Sequence, residues 1–519
     1  MMNRNKMLES LRSTDEFDVI VIGGGASGLG TALDSCLRGY KTLLLEQHDF
    51  AKGTSSRSTK LAHGGVRYLK QGDVAMVREA LRERGLMKEN APHLVHDQKF
   101  IVPVYDWWDA PLYTTGLKVY DVMSGKLGLG ASEMISKEST LEHIPNLNQE
   151  GLRGGVRYYD GQFDDARYAI TLALTINDYG GTILNHVKVT GLLKDEEEKI
   201  CGVNAKDTLS DEIFEIKGKV VVNATGVFVD KILKMDNEEH KRMVSPSQGV
   251  HIILDKEFLQ GASSIMVPRT SDGRVLFAVP WYDKIVVGTT DTPLKKVSHE
   301  PRALEEEIDF ILKTAAQYLN KTPTRADVKS VYAGLRPLVK KQKAETKNIS
   351  RSHKIVVSDS KLITIVGGKW TTYRQMAEDA VNTIERVGRW EPVKCITREV
   401  LLHGYKKGMD RSDVRSVYGN DLSKIEELSD NVPSLKKKLH KDLPYTFADI
   451  YWGTEFEMAM TLEDALARRT RCLLLNAKAS IKIAPKVAKL MSGILGKDEE
   501  WENEEVKKYK KLAKGYLLS

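Results

Sequence analysis

The sequence predicts an α/β protein. It would combine a discontinuous, Rossmann-like dinucleotide-binding domain, an antiparallel β substrate or cap domain, and a C-terminal α-helical domain. Three observations predict this. A glycine-rich strand–turn–helix stands near the start, two further apolar strands end in small-residue turns near residues 226 and 367, and the pattern from about residue 391 is helical. A chain of 519 residues suits roughly two to four domains.

The first ten residues lack the apolar core of a secretory signal, and Glu9, Asp15 and Glu16 would be out of place in a mitochondrial presequence. Phe17 to Ile22 is a strand-length apolar run, followed by Gly23-Gly24-Gly25-Ala26-Ser27-Gly28, which fits GxGxxG. A helix runs to Arg38 and stops at Gly39. Lys41 to Glu46 is a second buried strand ending in an acid. Gly23 permits the tight turn, Gly25 lets backbone approach a pyrophosphate, and Gly28 lets helix pack on strand. The helix N-terminus faces the phosphate charge. Glu46 can accept hydrogen bonds from an adenosine ribose.

Residues 53–60, with Thr54, Ser55, Ser56 and Lys60, and then His63-Gly64-Gly65, offer hydroxyls and amides for a second stretch of a long cofactor. The alternative is a polar surface loop. Val66 to Arg157 reads as mostly helical. Within it, Val104 to Val122 carries Trp107, Trp108, Leu112, Tyr113, Leu117 and Tyr120, which suits either an interfacial membrane helix or core packing. Val220 to Gly226 and Leu362 to Lys369 are the later strand–turn units, the second opening a helix from Thr371 to Val387. Three such turns suit a cofactor longer than NAD. Arg274 to Val279 and Lys284 to Gly288 read as antiparallel strands. Leu462, Ala465, Leu466 and Leu473 recur at helical spacing behind Thr461, a candidate N-cap. The cofactor-binding domain is therefore expected over 1–70, 145–226 and 345–390. The substrate or cap domain would span 71–144 and 227–344, and the helical domain 391–519.

Composition narrows the partners. The formal charge is +7, from 78 Lys+Arg against 71 Asp+Glu. The last fourteen residues hold five lysines and no acid, a tail that is either solvated or laid against anionic lipid. Four dispersed cysteines without CxxC spacing argue against a disulfide scaffold or a cysteine zinc site, so no metal is expected. Nucleic acid is not expected either, for want of an aromatic-interleaved basic motif. No apolar run approaches the ~18–20 residues of a membrane span.

Longer strings carry a resemblance. Gly23 to Gly28, Gly53 to Leu69 (GTSSRSTKLAHGGVRYL), Tyr158 to Gln162, Asn223 to Gly226, Gly288 to Asp291, Tyr332 to Pro337 and Gly367-Gly368-Lys369 with Thr371 to Arg374 resemble the FAD-dependent, quinone-linked glycerol-3-phosphate dehydrogenase family. The likeness is closest to mitochondrial-type members, without the calcium-binding extension that the animal enzymes carry. It departs at Val227-Phe228, where Pro-Trp is usual, and at Trp370.

The resemblance implies the two-domain flavin oxidase type of fold and FAD as cofactor. It implies oxidation of sn-glycerol 3-phosphate to dihydroxyacetone phosphate, with electrons passed to a membrane quinone (ubiquinone or menaquinone). It implies a cytoplasmic protein, peripheral on the inner face of the cell membrane, with a homodimer left open. Arg67, Tyr68, Arg336, Arg351 and Lys369 would bind the substrate, and Val187, Gly226, Gly367, Gly368, Thr371 and Thr372 would join the cofactor set. Arg336 could also stabilise an alkoxide at C2, and Lys369 the reduced flavin. The base is His63 or His251; the residues alone do not choose. The alternative is an oxidase handing electrons to O₂. The short interval of about thirty residues between Pro337 and Gly367 favours the dehydrogenase by the same resemblance.

Overall fold

Strand Phe17–Ile22 pairs in parallel with Ile213–Asn223 on one side and Thr42–Leu45 on the other. The computed structural model describes residues 1–65, 73–106, 109–268, 270, 274–340 and 353–518, without the side chains of 109–112 and 126. Thr182–Leu184 extends the parallel sheet beyond Thr42–Leu45, and Ile363–Val366 extends it beyond Ile213–Asn223. Lys354–Val357 closes that edge antiparallel. These strands are continuous apolar runs because both faces are covered. Val19, Ile20, Val21, Leu43 and Leu44 are fully buried, and each such side chain contributes roughly 1.5–3 kcal/mol by leaving water. Helix Ala26–Leu37 packs against helices Asp165–Asp178 and Tyr373–Gly388. The sheet is thus assembled from segments nearly 350 residues apart, as three separated turns suggest.

The second sheet is antiparallel apart from one parallel pair, Ser264–Val267 with Val95–Val104. Val244–Asp255 lies between Lys284–Gly288 and Ser330–Val339, pairing with the latter over ten positions. The architecture is that of the expected class: a Rossmann-like sheet, an antiparallel second sheet and helices after residue 420.

Three sequence expectations are corrected. The stretch after Val66 holds helices Val74–Asn90, Asp109–Ser124 and Lys137–His143, but also the ten-residue strand Val95–Val104. That strand forms because its apolar half pairs with Gly154–Phe163 along its whole length. Gly154–Phe163, expected in the cofactor-binding domain, therefore belongs to the second sheet. Behind Thr461, Asp464–Arg469 is a wide π-type turn, and Thr470 is extended before the short helix Cys472–Leu475. The expected leucines are all buried, but the regular helix gives way to guanidinium groups turned inward. Tyr120 and Leu117 are core residues, whereas Trp107 and Trp108 lie outside the described residues. No described helix is long and apolar enough to cross a membrane.

Candidate active site

A cavity of about 370 Å³ opens at the carboxyl ends of the parallel strands, lined by Gly23, Gly25, Glu46, Thr54, Ser55, Val187, Gly226, Gly367, Gly368 and Lys369 among others. Gly23 sits at φ +112°, and a Cβ there would lie 2.8 Å from the Ala224 carbonyl. Gly28 does not line the cavity. A Cβ on it would fall 1.9 Å from the Gly23 carbonyl, so its role is to let the helix close on the turn. Gly25 caps that helix, and the Ala26 amide donates to Ser55 Oγ at 3.0 Å. Both carboxylate oxygens of Glu46 accept backbone amides, from Gly24 at 2.8 Å and His48 at 2.9 Å. Burial raises the Glu46 pKa and these donors oppose the rise. The cradle ends at Trp370, whose indole donates to the Ser55 carbonyl at 2.8 Å and packs edge-on to Phe163, Tyr168 and Tyr373.

A second cavity, of about 170 Å³, includes Thr59, His63, Asp160, Arg274, Thr289 and Arg336 in its lining. Arg336 rises from strand Ser330–Val339 and is aimed by four hydrogen bonds. NH1 donates to the Gln248 carbonyl (3.2 Å) and Asp291 (3.3 Å), and NH2 donates to Thr289 Oγ1 and the Thr290 carbonyl (3.0 Å each). The backbone beside His63 is fixed by a buried chain. The Gly64 amide donates to the Tyr120 hydroxyl at 2.8 Å, that hydroxyl donates to Asp160 at 2.9 Å, and Arg84 donates to Asp160 at 2.8 Å. The Thr371 hydroxyl accepts the His63 amide at 3.3 Å.

His251 is buried behind this cavity, 2.9 Å from Thr59 Oγ1 and stacked on Tyr332 at 4.9 Å. Burial first, then the charges of Lys60 and Arg336, hold its pKa well below the usual histidine value, so the ring is neutral. Among the described residues its Nδ1 has no partner.

The structure brings most of the expected residues together and separates a few. Lys60, expected in the cofactor cradle, points the other way. Its Nζ donates to Asp165 (2.8 Å) and the Ser56 carbonyl (3.0 Å) between the rings of Trp281 and Tyr332. The fully buried Asp165 carboxylate attracts a counter-ion more strongly than an exposed phosphate could. Burial lowers the Lys60 pKa to about 8. Ser56, Gly64, Thr371 and Thr372 line neither cavity; they form the layer behind it. Arg67, Tyr68 and Arg351 lie outside the described residues. The sequence marks no individual role for Asp160, Arg274 or Thr289, and it places Thr59 only among the hydroxyls of residues 53–60. The cluster gripping the loop after Glu46 had no signal. There, buried Asp49 accepts Arg468 Nε at 2.5 Å and both terminal nitrogens of Arg469 at 2.7 and 2.9 Å.

Comparisons with known proteins identify the family and the fold. The family model for FAD dependent oxidoreductase matches residues 18–373, and that for the C-terminal domain of alpha-glycerophosphate oxidase matches 359–502. The mitochondrial glycerol-3-phosphate dehydrogenase of Bos taurus is 39% identical over 98% of this chain and 75% of its own length. This chain belongs to the FAD-dependent glycerol-3-phosphate dehydrogenase family. The glycerol-3-phosphate dehydrogenase of Bacillus halodurans, solved with FAD, has TM-score 0.80 and 30% identity, covering 99% of this chain and 98% of its own. The L-alpha-glycerophosphate oxidase of Mycoplasma pneumoniae, at 17% identity and TM-score 0.57 over 75% of this chain and 99% of its own, shares the fold.

The family's cofactor is FAD, and the cavity at the carboxyl ends of the parallel strands fits it. A Cβ at Gly25 would crowd Ser55 Oγ at 3.1 Å. That glycine leaves backbone open to a pyrophosphate at a helix N-terminus, and Glu46 lines the same cavity.

Proposed function

We propose that this family member oxidises sn-glycerol 3-phosphate to dihydroxyacetone phosphate and passes the electrons to a membrane quinone. The observation that carries the reading is the converging pair of Arg336 and His63 at a small cavity, in a chain of this family. FAD, when bound, supplies the acceptor for the hydride that leaves C2. The chain's own residues do the rest. His63 takes the C2 hydroxyl proton, the role of a general base lining the cavity. Arg336, held by four acceptors before substrate arrives, faces the developing alkoxide, and a preorganised cation there costs no reorganisation. His251 stands one step back, reaching the cavity only through the Thr59 hydroxyl. Arg67, Tyr68, Arg351 and Lys369 hold the phosphate, a task suited to guanidinium forks. The cofactor set is Gly23, Gly25, Glu46, Thr54, Ser55, Val187, Gly226, Gly367 and Gly368.

The quinone, ubiquinone or menaquinone, implies a site at the inner face of the cell membrane, with a second copy of the chain as a further partner. The division into 1–70, 145–226 and 345–390 for the cofactor, less the strand Gly154–Phe163, is part of the same proposal. Anaerobic addition of glycerol 3-phosphate to the yellow protein tests the function: the flavin spectrum bleaches, and an unchanged spectrum refutes the substrate. Hydrogen peroxide formed in air at the rate of quinone reduction would instead support the oxidase.

A further inference from the structure

A third cavity, of about 400 Å³, lies outside the catalytic region and shares a wall with the cofactor cavity, because Val227, Phe228 and Lys231 line both. Its rim carries Lys231, Lys234, Arg242, Lys295 and Lys296, all exposed, against one acid, Asp230. Three separate segments supply these cations: helix Val229–Asp236, the turn before strand Val244–Asp255, and the turn after Thr292–Pro293.

The arrangement is held in place. Asp230 accepts the Met243 amide at 2.8 Å, the Val244 amide at 3.2 Å and His240 Nε2 at 3.0 Å, which commits its charge to backbone and ring donors. Arg242 donates to the Lys295 carbonyl at 2.8 Å, tying two of the segments together. Among the described residues no carboxylate forms an ion pair with any of the five cations. The floor is apolar: Val227, Val297 and Phe228, whose ring stacks on His299 at 4.1 Å and carries the Lys231 ammonium at 4.9 Å.

Five exposed cations on one rim, with its single acid committed to other donors, give the cavity a positive potential that attracts an anion. The volume falls within the ~300–1,000 Å³ range of small-ligand sites.

We propose that this cavity binds a phosphate-bearing polyanion, distinct from the substrate, beside the cofactor. A diphosphate suits the spread of the rim better than a single carboxylate, because separated lysines can engage separate phosphates. The group could arrive as a free phosphate compound or as an anionic lipid headgroup, and the test separates the two.

FAD-loaded protein is titrated calorimetrically with inorganic pyrophosphate, and floated with phosphatidylcholine vesicles containing phosphatidic acid. The variant K234E/K295E/K296E removes rim charge without touching Lys231. The variant K482E/K486E/K489E makes the same charge change on helix Ala477–Leu495, and FAD content confirms that both fold. Saturable pyrophosphate binding marks a soluble ligand, and binding of vesicles alone marks a headgroup. In either arm the rim variant loses about tenfold or more in affinity while the control stays within about twofold. The proposal is overturned if neither probe binds the natural protein, or if both variants lose affinity equally.

Discussion

Two arginines of the C-terminal helical domain converge on one buried carboxylate in the loop after Glu46, and replacing Asp49 with Asn tests what that contact does. Asp49 is fully buried, as are Arg468 and Arg469. The two guanidiniums hold its carboxyl far below the usual carboxylate range despite burial. Asn185 Nδ2 adds a fourth donor at 3.1 Å. Asn keeps the shape and loses the charge, leaving two buried cations short of a partner. Breaking a buried pair costs about 3–5 kcal/mol; Glu463 and Asp464, each 2.8 Å from Arg468, keep the value near the lower end. The same loop carries Glu46 and Lys52, both on the cofactor cavity. Lys52 is itself tied to Glu463 at 2.6 Å. If a third of roughly 3 kcal/mol falls on the loop's bound geometry, FAD dissociates about fivefold faster. FAD fluorescence after dilution gives the release rate, and calorimetry gives the melting temperature. A variant that melts lower but releases FAD at the natural rate refutes the link between this ion cluster and the cofactor.

Other outcomes follow from single contacts. Arg336→Gln lowers the rate constant of substrate-driven flavin bleaching by about 10²–10³-fold, the usual loss for one preorganised donor at a developing oxyanion, with melting nearly unchanged because the side chain is only part-buried. Gly28→Ala forces a Cβ to 1.9 Å from the Gly23 carbonyl and yields colourless protein. Gly53→Ala, with nothing within 4 Å, yields yellow protein; absorbance after purification distinguishes them. His403 lies between Asp178 (2.6 Å) and Asp421 (2.7 Å), and its pKa is raised to about 9, burial opposing and the two carboxylates prevailing. A raised folded-state value means stability that is complete below the unfolded pKa near ~6.5 and is lost as pH climbs through about 9. Melting curves across that window should show a fall that His403→Gln abolishes.

The parts legible in the sequence are those whose physics is local. The turn from Phe17 to Gly28 needs its glycines at fixed spacing, and Glu46 ends a strand whose position the intervening helix sets. Arg336 was legible because Gly334 and Pro337 frame it in one string. What stayed hidden depends on partners far away in the chain. Lys60 looks like a phosphate-loop lysine until Asp165 is placed beside it, more than a hundred residues on. Asp49 looks like an ordinary loop acid until Arg468 and Arg469 arrive from some 420 residues away. Gly154–Phe163 reads as part of the cofactor-binding domain because a strand does not name its neighbour; its pairing with Val95–Val104 sets it in the second sheet. Thr59 and Asp160 carry no charge pattern that separates a cavity wall from a core.

The long reach of the first sheet also bears on how the protein is made. Its central strand is finished by residue 22 and Thr42–Leu45 follows soon after, but the neighbour on the other side, Ile213–Asn223, comes almost two hundred residues later and Ile363–Val366 later still. Asp49, in the loop after Glu46, meets its two guanidinium partners only once Arg468 and Arg469 have been synthesised. Such distant pairings make for slow folding and leave apolar strand edges exposed in the meantime. A ribosome-bound chain therefore holds an open nucleotide cradle for most of its synthesis. The cavity lining runs from Ile22 to Met376, so the cradle is complete only once Ile363–Val366 and the helix behind it have been made, and Arg468 and Arg469 brace the loop after Glu46 later still.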